Sequence, residues 1–171
     1  ILGLTIPPSM PGRFTRLLVM NTTIPVGEPV SDGFVRWREF NRSRPDLDIA
    51  ALFQRSQPDI LPAEAEAYAA PFPDARFKAG VRRFPELVMT DPGMAGIAEA
   101  RRARDWWAGE WHGPTFMAVG MIDPVLGPEV MARLRETING CPPPLEVPDG
   151  GHFVQEKGEA IAHAALAAFG L

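Results

Sequence analysis

Three short apolar runs constrain the fold more than anything else in the chain: Arg16-Leu17-Leu18-Val19-Met20, Thr115-Phe116-Met117-Ala118-Val119-Gly120 and Pro144-Leu145-Glu146-Val147-Pro148. Each is too short for a buried helix, and each reads as a buried strand. A helical stretch from Met94 to Gly109 precedes the second run, and another from Gly127 to Ile138 separates it from the third. Strands alternating with helices make a parallel sheet, so the fold class is α/β. A parallel sheet of three strands is small, because such sheets need both faces covered and their edges protected. The strands that would complete it are expected before Ile1. The chain opens there on Ile1-Leu2-Gly3-Leu4, without an initiating Met or a signal-peptide pattern, and so reads as a fragment.

Between the first and second strands lies a block that is helical, punctuated by proline and free of strands. After a Pro/Gly-rich link from Pro25 to Pro29, Ser31 or Asp32 can cap a helix carrying Phe34, Trp37 and Phe40 at spacings of three. Pro45 ends it, and Asp46 to Gln54 forms a second short helix. Pro62 opens a third at a first-turn position. Asp74 is expected to cap a fourth, through Phe77, Val81 and Phe84 into Pro85. The expected organisation is a core segment 1–28, a helical cap (lid) 29–92 and a second core segment 93–171, closed by a helix from Lys157 to Leu171.

Composition removes several classes of function. A hydrophobic fraction of 46% with 22% charged residues describes a globular chain. Net charge is −4 and no basic stripe interleaves with aromatics, so no nucleic-acid partner is expected. No stretch approaches the ~20 apolar residues of a membrane span. Cys141 is the only cysteine, which rules out an internal disulfide and points to a reducing compartment, the cytoplasm. The three histidines show no metal-ligand spacing, and neither a metal nor an organic cofactor is expected.

Catalytic groups of open α/β sheets sit at the carboxyl ends of strands. Asp123 follows the second strand in Gly120-Met121-Ile122-Asp123-Pro124, and His152 follows the third in Asp149-Gly150-Gly151-His152-Phe153. An imidazole there can act as general base, with a carboxylate on the neighbouring strand holding its tautomer. The order acid then histidine is the end of the hydrolase order nucleophile–acid–histidine. Gly-Gly-His alone fits a structural histidine equally well, and Asp149 in its Pro-Asp-Gly-Gly turn is a rival acid. His112 precedes a strand and His163 lies inside the closing helix, both away from the catalytic ends. The Trp37 indole can pack within the lid or donate its N–H to an anion. Trp106, Trp107 and Trp111 are expected to pack against the sheet.

At these residues the chain resembles the haloalkane dehalogenases of the α/β-hydrolase superfamily. Ala67-Tyr68-Ala69-Ala70-Pro71-Phe72-Pro73-Asp74, continuing through Ala79-Gly80-Val81-Arg82 to Phe84-Pro85, resembles their cap segment. Phe116 to Met121 with Asp123 resembles their acid segment, and Gly151-His152-Phe153-Val154-Gln155-Glu156 their histidine segment. Ile1 to Pro7 is similar to the helix that follows their nucleophile elbow. The resemblance implies the C-terminal part of an α/β-hydrolase fold, which converts a small halogenated alkane and water to an alcohol and a halide ion through an alkyl ester. It implies that His152 activates the water, Asp123 orients His152 and Trp37 donates to the halide. Phe34, Phe84, Pro85, Val88, Val125 and Leu126 match positions lining the substrate pocket. The nucleophile, its neighbouring tryptophan and the oxyanion-hole segment have no counterpart, so the chain by itself is expected to be inactive. An epoxide hydrolase would share the Asp–His pair but typically uses two lid tyrosines, and Tyr68 is the only tyrosine. A serine esterase would share Asp123 and His152, and a non-catalytic fragment is the remaining alternative.

Overall fold

A short helix α1 (Leu2–Thr5) and a 3-10 turn (Pro7–Ser9) lead into strand β1 (Leu17–Met20) in the computed structural model, which describes residues 1–171. The backbone forms two compact units, one of Ile1–Pro29 with Met89–Leu171 and one of Val30–Val88.

The second unit is all helical. Helix α2 (Asp32–Arg42) starts where the Ser31 side chain accepts the Phe34 N–H at 3.2 Å. Helix α3 (Ile49–Ser56) is capped by Asp48, whose carboxylate accepts the Ala51 N–H at 2.9 Å. Helix α4 (Pro62–Ala69) has its proline in the first turn, where a missing N–H costs nothing. It packs on α3, with Tyr68 stacked against Phe53 at 3.9 Å between ring centroids. Asp74 does not cap a helix as expected. Its carboxylate accepts the Arg76 N–H at 2.9 Å and pairs with the Arg76 guanidinium, which closes a local turn instead. Helix α5 (Ala79–Arg83) therefore begins later, and Phe84–Leu87 continues as a 3-10 turn with Pro85 in its first positions. The buried Asn41 donates to the Val81 carbonyl at 3.1 Å and ties α2 to α5.

In the first unit, helix α6 (Ile97–Gly109) leads to strand β2 (Thr115–Gly120), helix α7 (Pro128–Thr137), strand β3 (Leu145–Val147) and helix α8 (Gly158–Phe169). Helix α6 starts three residues after the expected Met94, because Asp91 accepts the Gly93 N–H at 2.8 Å and holds a turn there. The sheet is parallel in the order β1-β2-β3, with Leu17 opposite Thr115 and Ala118 opposite Leu145. Side chains alternate across it with the strand period of two. Met117 and Val119 join Val19, Trp107, Met131, Leu134 and Ile138 in a core under α6 and α7. Ala118 meets Val147, Val154 and Ile161 under α8, with Phe116 at the margin. One face is thus covered by α6 and α7, while α8 covers the other mainly over β2 and β3 and leaves Leu18 of β1 43% exposed. No helix is long and apolar enough to cross a membrane.

The tryptophans Trp106, Trp107 and Trp111 form an edge-to-face and tilted cluster with centroids 4.9 to 5.8 Å apart. Trp107 is 1% exposed and donates its indole N–H to the Leu4 carbonyl at 2.7 Å, which anchors α1 to α6. Trp107→Phe leaves that carbonyl unmet and vacates part of the ring's volume. It is expected to lower unfolding free energy by about 2 kcal/mol in a urea titration. A loss below roughly 0.5 kcal/mol would show that this hydrogen bond does not hold α1 in place.

Candidate active site

The site begins with a close approach of two turns. At the carboxyl end of β2 the chain passes under the turn after β3: Met121 N–H donates to the Val147 carbonyl and Ile122 N–H to the Gly150 carbonyl, both at 3.0 Å. A Cβ at Gly120 would lie 2.7 Å from the carbonyl oxygens of Gly150 and Gly151, and a Cβ at Gly150 would lie 3.0 Å from Gly120 Cα. Glycine at both positions lets the backbones touch. The next residues of each turn, Asp123 and His152, are thereby brought together.

The Asp123 side chain is fully buried, and both its oxygens are met. Oδ1 accepts the backbone N–H groups of Val125 at 2.8 Å and Leu126 at 3.1 Å. Oδ2 accepts the side-chain amide of Asn21 at 2.8 Å. His152 Nδ1 lies 3.1 Å from Oδ1 and 3.0 Å from Oδ2. A carboxylate can only accept, so in the neutral imidazole the proton sits on Nδ1 and the Nε2 lone pair is left free. The His152 side chain is 39% exposed, so its basic nitrogen can reach water while its partner cannot. An imidazole held in this way can act as a general base, and the buried carboxylate can orient it.

Burial by itself pushes the Asp123 carboxyl up. The hydrogen bond and charge of His152, the Asn21 amide and the Val125 N–H together outweigh it and hold the group below the ordinary carboxylate value. Its folded pKa is thus lower than its unfolded one. The carboxylate contributes stability above about pH 4, which is lost as pH falls through the folded value. Asp123→Asn is therefore expected to flatten the acid side of the stability curve, measured as urea midpoints over a pH series. An acid slope equal to that of the parent would count against this account.

Asp149 does not compete for His152, because its carboxylate pairs with Lys157 at 2.6 Å on the surface. His112 Nδ1 lies 3.1 Å from the Asn139 amide, and His163 sits exposed on α8. Val125 and Leu126 follow Asp123 directly, and their backbone N–H groups hold it. Phe34 and Trp37 lie on α2, with Trp37 stacked on Phe40 at 6.1 Å, while Phe84 and Pro85 lie in the 3-10 turn and Val88 just after it. Asn21 is the residue that sequence reasoning missed. It stands at the carboxyl end of β1, the same kind of position that singled out Asp123, and that was the available signal.

A haloalkane dehalogenase of Mycolicibacterium paratuberculosis is 32% identical over 170 residues, which is 97% of this chain and 56% of that protein. The solved structure of a tetrameric haloalkane dehalogenase from Paraglaciecola agarilytica matches with a TM-score of 0.93 at 44% identity, covering 97% of this chain and 56% of that one. Over nearly its whole length, the chain is a haloalkane dehalogenase homologue. A haloalkane dehalogenase of Psychrobacter cryohalolentis agrees, at 31% identity over 95% of this chain and 54% of its own length. A solved haloalkane dehalogenase of Bradyrhizobium elkani, with a TM-score of 0.74 at 20% identity, shares the fold over 97% of this chain and 62% of its own. No protein-family model matches. The chain spans little more than half the length of the relatives it matches, and its three parallel strands with their helices are consistent with a partial α/β-hydrolase fold.

Proposed function

We propose that this chain is the water-activating half of a hydrolytic haloalkane dehalogenase. The observation that carries the reading is the hydrogen bond between His152 Nδ1 and the buried carboxylate of Asp123, which leaves Nε2 free to take a proton. In the reaction proposed, a carboxylate attacks the halogen-bearing carbon, forming a C–O bond as the carbon–halogen bond breaks and the halide leaves with the bonding pair. His152 then deprotonates a water, which adds to the ester carbonyl. Collapse of the adduct releases the alcohol, with the proton passing from the imidazolium to the leaving oxygen, and the carboxyl group left behind loses the remaining water proton to solvent to return the carboxylate. Asp123 keeps the tautomer and stabilises the imidazolium. By resemblance, Trp37 donates its indole N–H to the departing halide. Phe34, Phe84, Pro85, Val88, Val125 and Leu126 meet the alkyl group, and the segment carrying α2 to α5 is the cap. The attacking carboxylate is expected from the remaining length of the relatives. A single unpaired cysteine, Cys141, fits the cytoplasm.

Bromide release from a small bromoalkane tests the reading. The 171-residue chain alone is expected to release none above buffer. A polypeptide that adds the rest of the relatives' length is expected to release bromide with turnover. Hydrolysis of nitrophenyl esters without any bromide release would instead make the protein a serine-type esterase with the same Asp–His pair.

A further inference from the structure

Asn21 is the one non-glycine residue of the chain with a positive φ, 27°. Asparagine accepts this left-handed region better than most residues. Its side chain turns inward at the end of β1, and the residue is 9% exposed. Oδ1 accepts the Gly120 N–H at 2.8 Å, while Nδ2 donates to Asp123 Oδ2 at 2.8 Å and lies 3.4 Å from the Gly120 carbonyl. A backbone N–H can only donate, so the Gly120 contact decides which end of the amide is oxygen. Only the nitrogen is then left for Asp123. The carboxylate therefore meets a donor whose character does not change with pH.

We propose that Asn21 is a positioning residue, pinning Asp123 so that both carboxylate oxygens face His152 Nδ1. The proposal rests on reading His152 as the base, and Asn21 acts on the chemistry only through Asp123. The Val125 and Leu126 amides restrain Oδ1 alone. Without Asn21, Oδ2 is free to turn away from the imidazole or to exchange its partner for water. The other groups bonded to the carboxylate are neutral, so His152 is the ionisable group that faces it.

Nuclear magnetic resonance of the full chain tests this without any turnover. In the unmutated chain the Asn21 side-chain amide resonances are expected to move with the Asp123 carboxyl carbon, at one shared midpoint. In Asn21→Ala the Asp123 titration is expected to shift upward, towards the ordinary carboxylate range. The His152 ring nitrogens should then report a mixture of tautomers in place of one. In Asn21→Asp the acceptor for Gly120 N–H is kept, but a second carboxylate stands beside the first. One of the two is expected to titrate well above the ordinary range, because adjacent like charges resist ionising together. A residue that merely clamps β1 to β2 through Gly120 would lower the melting temperature and leave the Asp123 midpoint and His152 tautomer unmoved. Its amide resonances would not follow Asp123, and that result overturns the proposal. Should Asn21→Ala fail to fold, the titration of the unmutated chain decides alone. Halide release does not enter these measurements, so the dehalogenase reading and the role of Asn21 can fail separately.

Discussion

His152→Ala, made in a haloalkane-hydrolysing polypeptide that contains this segment, is expected to release one equivalent of halide rapidly and then stop. Displacement of the halide needs a carboxylate nucleophile and a receptive site for the anion, and neither is supplied by the imidazole. Hydrolysis of the resulting ester needs a deprotonated water, and in the proposed function the free Nε2 of His152 makes it. Loss of a positioned general base typically costs 10²–10⁴-fold in rate, so steady-state turnover should fall by about that factor while the first halide equivalent survives. Rapid-quench halide measurement shows the burst, and mass spectrometry of the intact protein shows the trapped alkyl ester. Steady-state bromide release within about threefold of the parent, with no adduct, would remove His152 from the mechanism.

Gly120→Ala is expected to have a large structural effect in the 171-residue chain. The added methyl would sit 2.7 Å from two backbone carbonyl oxygens, those of Gly150 and Gly151, and 2.9 Å from a carbonyl carbon. These are backbone atoms, not the ends of flexible side chains, so relief requires β2 to separate from the turn that carries His152. That movement breaks the Ile122 N–H bond to the Gly150 carbonyl and pulls Asp123 from His152. An expected loss of about 3 kcal/mol of unfolding free energy combines overpacking with lost hydrogen bonds. The His152 ring nitrogens should at the same time lose their single-tautomer signature. A urea midpoint within experimental error of the parent, with the tautomer retained, would mean that the two turns are not in contact as described.

What could be read from the sequence divides along the range of the interactions concerned. The three strands show because apolar side chains cluster locally, and the helices of the Val30–Val88 unit show because caps and prolines act within a few residues. Helix starts were misread where a side chain had a second local option: Asp74 closed a turn with Arg76, and Asp91 did so with Gly93. Asp123 and His152 stand out in the sequence because each follows a strand, and a rule about strand ends converts local position into the spatial proximity that the structure shows. The same rule applied to β1 leads to Asn21, but in the sequence Asn21-Thr22-Thr23 reads as an ordinary strand terminator.

The sequence by itself determined the parallel α/β alternation, the helical block between the first two strands and the two polar residues at strand ends. All of these follow from periodicity and punctuation within short windows. Only the tertiary structure decided that Asn21 holds Asp123 across 102 residues, that Trp107 reaches Leu4 across 103, and that Gly120 and Gly150 touch. Such contacts depend on the register between strands and on which backbones approach closely. No local pattern records them, because each partner looks unremarkable until the other is placed beside it.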